Sequence, residues 1–198
     1  MTYRFPVVLM IAACALISAP ARAQQAPPKR VFSQVIPSPT GRNGYEELVA
    51  ACDALTGSKL YFAVKEKLPD ASLSVKRQVL ADKPVADALR LVRQGLAKPV
   101  YSPRTDLGFD TLLPELQLFR DLARVLALQQ YVFLADGRTG EAVSTARLCL
   151  RLGQVIQTDT LISGLVGIAI GAIRINTLGE HLDQLNARDC EQLYRVCL

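Results

Sequence analysis

After Asn43, apolar residues recur at helical spacing along most of the chain, and no strand-type alternation lasts more than a few residues. Tyr45, Leu48, Val49, Cys52 and Leu55 form the first stripe. Asn43 opens it, with Glu46 three residues later in the capping-box position, and Thr56-Gly57-Ser58 closes it. Leu60 to Val64 is a short apolar run compatible with helix or strand. Val85, Ala88, Leu89, Val92 and Leu96 predict a second helix, with Pro84 in its first turn, Asp82 as cap and Lys98-Pro99 as the stop. Tyr101 to Gly108 reads as a loop. A long helix is predicted from Asp110 to Ala135, entered through Pro114 and apolar around most of its circumference, as for a helix buried between others. Asp136-Gly137-Arg138-Thr139-Gly140 then turns tightly into an amphipathic helix from Glu141 to Ile156. Its apolar face carries Ala142, Ala146, Cys149 and Ile156, and its polar positions are Glu141, Thr145, Arg147, Arg151 and Gln154.

The next stretch, TDTLISGLVGIAIGAIRINTLGEH over 158–181, predicts a helix capped by Thr158 or Asp159. Its uncharged part, Thr160 to Ile173, spans about 21 Å, against a bilayer core of about 30 Å, which favours a buried helix of a water-soluble fold. Ser163, Gly167 and Gly171 follow one another at intervals of four, a stripe that lets a neighbouring helix approach closely. Asn186 with Asp189 opens a last helix, whose apolar pattern runs to Leu198 as though the chain continued. The predicted class is all-α, with antiparallel helical hairpins in one domain over 43–198.

The first 42 residues read differently. Arg4, the apolar run from Val7 to Ile17 and Ala21-Arg22-Ala23 have the layout of a signal peptide over 1–23, cut after Ala23. Ile11-Ala12-Ala13-Cys14 offers a lipoprotein box as the minor alternative. Residues 24–42, with Pro27, Pro28, Pro37 and Pro39, have the composition of a flexible linker. Loss of Arg4 and Arg22 lowers the net charge from +5 to +3. Lys59 to Arg104 is locally basic, whereas no Lys occurs from Thr105 onward and acids predominate there. That asymmetry allows a peripheral membrane contact, although dispersed charges more often mark solvated helix faces. No nucleic-acid-binding motif is present.

Two resemblances follow from these residues. Leu126 to Leu152 resembles one tetratricopeptide-type hairpin, with Phe133, Gly137, Ala142 and Cys149 at the aromatic, turn and small positions of that repeat. Gln129, Gln130 and Ala146 depart from the pattern, and no second copy follows. LLPELQLFRDLARVLAL, DGRTGEAVSTARLCLRLGQVI and TLISGLVGIAIGAI, in that order within Asp110 to Leu193, resemble a family of exported bacterial all-helical proteins with no established activity. The resemblances imply a TPR-like arrangement, a short α-solenoid or an irregular bundle.

Candidate chemistry is sparse. Cys52, Cys149, Cys190 and Cys197 outlast cleavage, an even number that permits disulfides. Cys190 and Cys197 are about 10 Å apart along one helix, too far to bond each other. No metal-ligand spacing occurs, so neither metal nor cofactor is expected. His181, the single histidine, lies near Thr177, Asp183 and Gln184 with no catalytic frame around it. Asp106, Asp110, Glu115 and Asp121 could supply paired carboxylates, but acids at a helix start are also favoured by its dipole. Ser33, Ser72, Ser102 and Ser144 stand in no nucleophile motif. The expected function is therefore a protein-binding or scaffolding module of the cell envelope that takes a protein partner in a helical groove. An envelope enzyme using the acids between Asp106 and Asp121 is the alternative.

Overall fold

The computed structural model describes residues 41–103, 114–157 and 160–197. The signal-peptide region and nearly all of the linker lie outside these residues, as do Asp106, Asp110, Thr158 and Asp159. Among the described residues there are eight α-helices and no strand: α1 (Gly44–Thr56), α2 (Lys59–Val64), α3 (Leu73–Ala81), α4 (Lys83–Leu96), α5 (Pro114–Ala135), α6 (Thr139–Ile156), α7 (Leu161–Gly179) and α8 (Ala187–Cys197). The chain is all-α.

α1 and α4 lie antiparallel, because Gly44 meets Gly95 at one end of the pair and Gly57 meets Pro84 at the other. A Cβ on Gly95 would lie 2.7 Å from the Gly44 carbonyl oxygen, so only glycine permits this approach. Asn43 does more than cap α1. Its Oδ1 accepts from the Tyr45 and Tyr101 N–H groups, and its Nδ2 donates to the Tyr101 carbonyl at 2.7 Å, fastening the segment after α4 to the start of α1. Glu46 accepts from Gly41 N–H at 2.7 Å.

The ambiguous run after Ser58 is helical, and a helix that the apolar pattern did not announce, α3, begins at Ser72. In both, the serine hydroxyl oxygen accepts from the backbone N–H three residues on, which supplies one of the bonds a helix start lacks. Asp82 does not cap α4 through its side chain. Instead its carboxylate accepts from Ser58, joining the starts of α2 and α4.

α5 crosses the centre of the core. Its Phe119, Leu122 and Leu126 belong to one buried cluster with Leu48 and Leu55 of α1, Val92 and Leu96 of α4, Leu152 of α6 and Ile170 of α7. Gly137, at φ +70°, adopts the left-handed conformation that ends α5, and Arg138 N–H returns to the Phe133 carbonyl at 2.8 Å. α6 starts at Thr139, and its Thr145 is buried, not on a polar face: its hydroxyl donates back to the Glu141 carbonyl at 2.9 Å.

α7 returns antiparallel to α6. Gly153 meets Gly167 at one end, and Val143 and Ala146 pack with Leu178 at the other. Its cap is Thr160, which exchanges hydrogen bonds with Ser163, and the Asn186–Asp189 box caps α8 as expected. α7 is not enclosed on all sides as the sequence suggested. Ser163, Gly167, Ile170, Arg174 and Leu178 face the body, while Leu161, Ile162, Leu165, Ile168 and Ile175 are exposed. Gly164 and Gly171 have open space around them, so only Gly167 of the glycine stripe is in a close contact.

Cys52, Cys149 and Cys190 are free thiols, the first two buried and the third exposed. Burial pushes the Cys149 thiol up to about 12, with Arg174 opposing the rise. Burial, followed by the charges of Asp53, Glu115 and Asp121, raises Cys52. The thiolate is the reactive form. Iodoacetamide at neutral pH is therefore expected to alkylate Cys190 in the folded protein, and Cys52 and Cys149 only after unfolding, as read by peptide mass spectrometry. Rapid native labelling of Cys149 would contradict this packing.

Candidate functional site

The described residues form an open-sided cleft of about 520 Å³ between the α2–α3 segment and the facing sides of α5 and α7. Its apolar lining comes from every side: Leu68 and Pro69 before α3, Ala127 and Leu128 of α5, and Ile173 of α7. Its cations, Lys65, Lys76 and Arg124, also arrive from separate segments.

Asp121, only 1% exposed, lies behind the lining and gathers Tyr61, Lys65 and Arg124. The Tyr61 hydroxyl donates to Asp121 Oδ1 at 3.3 Å, Arg124 Nη1 to the same oxygen at 2.9 Å, and Lys65 Nζ to Oδ2 at 3.5 Å. Ser58, by capping α2, fixes the helix that carries Tyr61. Burial, then the Asp121 charge, raises the Tyr61 phenol well above its ordinary value, so it acts as a donor at neutral pH. The Lys65 ammonium also stands 5.0 Å from the Phe62 ring. Two cations thus share one carboxylate, a local excess of one positive charge, although over the whole lining Lys65, Lys76 and Arg124 are matched by Glu66, Asp70 and Glu180.

A second set closes the other side. Lys76 of α3 is buried, with its Nζ 3.8 Å from the Tyr131 ring centre and donating to the Pro69 carbonyl at 3.0 Å. Tyr131 meets the His181 ring edge-on at 5.6 Å, and His181 Nδ1 lies 3.3 Å from Gln184 Nε2. Lysine, tyrosine and histidine therefore brace one another where α3, α5 and the end of α7 converge. Glu66, Asp70 and Glu180 stand exposed at the rim.

Of the acids singled out in the sequence, Asp121 lies behind the cleft, held by the lining residues Tyr61, Lys65 and Arg124, and Glu115 lies elsewhere. Glu115 is buried against α1 and accepts from the Tyr45 hydroxyl at 3.1 Å. The two acids are about 9 Å apart in rise along one helix and serve different partners. That is not the shared, opposed geometry of a carboxylate pair acting on one bond. Glu115 does stand in the first turn of α5, where the helix dipole favours an acid, whereas Asp121 lies two turns in and is held by Tyr61, Lys65 and Arg124. Ser72 caps α3, and Ser144 donates to the Gly140 carbonyl. Sequence reasoning missed Tyr61, Lys65, Lys76, Arg124 and Tyr131. Lys65 and Lys76 fall in the basic stretch from Lys59 to Arg104, but no signal in the sequence joins them to Tyr61, Arg124 and Tyr131.

Comparison with known protein families, characterised proteins and solved structures finds no match to this chain.

Proposed function

We propose that the chain is a protein-binding module of the cell envelope, a short TPR-like set of helical hairpins that holds the carboxylate end of an apolar peptide in the cleft. It reaches that compartment through the N-terminal export signal cut near Ala23. The observation that carries this reading is the arrangement at Asp121. Lys65 and Arg124 divide a single carboxylate, so the cleft floor offers guanidinium and ammonium N–H donors to a second one. An Arg fork matches the planar geometry of a carboxylate, and partial burial strengthens the charge-assisted bond. That local excess of one charge suits a monoanion and not a dianion, since the rim acids Glu66, Asp70 and Glu180 offset the cations of the lining as a whole. The apolar residues of the lining suit one or two aliphatic side chains, and the volume falls within the range of pockets that take small ligands.

The test is calorimetric titration with N-acetyl-leucyl-leucine, its C-terminal amide, and octanoate. The acid is expected to bind at least about tenfold more tightly than the amide, roughly 1.4 kcal/mol. Lys65→Gln is expected to remove that difference without changing helicity. Binding of octanoate as tight as that of the peptide would assign the cleft to free carboxylic acids. Equal binding of acid and amide, or none, would overturn the assignment.

A further inference from the structure

The outward side of α7 supports an inference independent of the cleft. Leu161, Leu165, Ile168, Ala172 and Ile175 follow one another at intervals of four, three, four and three. This is the a/d spacing of a coiled-coil seam. On a helix it falls opposite the stripe of Ser163, Gly167, Ile170, Arg174 and Leu178 that packs on the body of the protein. The seam is bare: Leu161 is 82% exposed, Leu165 59%, Ile168 64% and Ile175 60%. Gly164 and Gly171 run along one edge, with nothing within 4 Å of either, leaving room for a partner backbone.

We propose that this seam joins two copies of the chain, with their α7 helices antiparallel and Ile168 on the two-fold axis. In that register Leu161 lies level with Ile175 of the other copy, and the large Leu165 with Gly171, beside the small Ala172. A parallel pairing would instead set Ala172 against Ala172 and leave a gap. The register is closed and uses one patch on both copies, as isologous contacts require.

Charge favours a protein partner over a lipid surface. Helices that rest on membranes flank their apolar face with Lys and Arg. On α7 the single cation, Arg174, is buried on the inner side, and the helix ends at Glu180. Size sets the strength. At about 100 Å² of apolar surface for a fully exposed aliphatic side chain, four such residues and Ala172 offer roughly 300 Å² per copy. That is the scale of an interaction patch, but roughly 600 Å² over both copies falls short of the roughly 1,200 Å² of a stable specific interface, so a weak, reversible dimer is expected, not a permanent one.

Sedimentation equilibrium on the full chain tests the proposal, with flotation on neutral phosphatidylcholine vesicles as the second arm. The wild type is expected to dimerise weakly and reversibly, with a dissociation constant below about 1 mM. Ile168→Glu, an exposed change that brings two carboxylates together on the axis, is expected to weaken the dimer at least about hundredfold. Ile168→Leu should retain it, and all three proteins should keep the same helicity. A wild type still monomeric at about 1 mM chain would overturn the proposal. A dimer indifferent to Ile168→Glu would also overturn it, and co-flotation lost in Ile168→Glu would assign the seam to lipid.

Discussion

Gly167→Leu is expected to lower stability by about 3 kcal/mol, at the upper end of the cost of overpacking. In a chain of this size that is a fall of roughly 6–12 °C in Tm. The cause is local. A Cβ on Gly167 would lie 2.5 Å from the Gly153 carbonyl oxygen and would also strike the Gln157 side chain. A Cβ on Gly153 would in turn lie 2.9 Å from the Gly167 carbonyl, so backbone meets backbone and no side-chain rotation relieves the clash. Gly171→Leu, four residues along the same helix, has nothing within 4 Å of its Cβ. It is expected to raise stability slightly, by up to about 0.8 kcal/mol, because leucine is the better helix former. Urea unfolding of both variants at low chain concentration, where association does not contribute, measures the pair. Equal losses at the two positions would mean that the α6–α7 contact does not pass through Gly167.

The contrast between these glycines marks what the sequence could convey. Helix positions were legible because burial on one side leaves a periodic trace, as in Tyr45 to Leu55 and Val85 to Leu96. Local caps at Asn186 and Asp189 were legible because both partners lie within one turn. α7 left no such trace. Its outer and inner sides are both apolar, so periodicity could not separate the stripe that packs from the stripe that does not. The missed helix α3 has the opposite problem: its amphipathic pattern is weak, and the serine cap is its clearest signal.

The candidate site was less legible still, for a physical reason. Its parts come from four elements and meet only through tertiary packing: Tyr61, Lys65, Lys76, and Arg124 with Asp121 and Tyr131. Lys76 reads in the sequence as one more solvated charge, yet it is buried because a tyrosine ring and a backbone carbonyl together take the place of water. Asp121 reads as an acid early in a helix. Its burial becomes visible only when Tyr61 and Lys65 arrive from α2 and the turn after it.

Asp121→Asn is expected to move stability and ligand affinity in opposite directions. Breaking a fully buried ion pair costs about 3–5 kcal/mol. Here Lys65 and Arg124 retain partial access to water, with side chains 23% and 36% exposed, so they can be rehydrated. The amide can still accept from Tyr61. A loss of about 2 kcal/mol is therefore expected, and a larger one for Asp121→Ala, which removes that acceptor as well. Affinity should move the other way. Asp121 competes with an incoming carboxylate for the same N–H donors, and its replacement leaves two cations without a shared anion. N-acetyl-leucyl-leucine is expected to bind Asp121→Asn about tenfold more tightly than wild type, while its amide changes little. Titration at a temperature where the variant remains folded, checked by circular dichroism, gives the answer. Weaker acid binding by a folded Asp121→Asn would mean that Asp121 itself contacts the ligand, and the cleft would then have to be assigned to a cationic group.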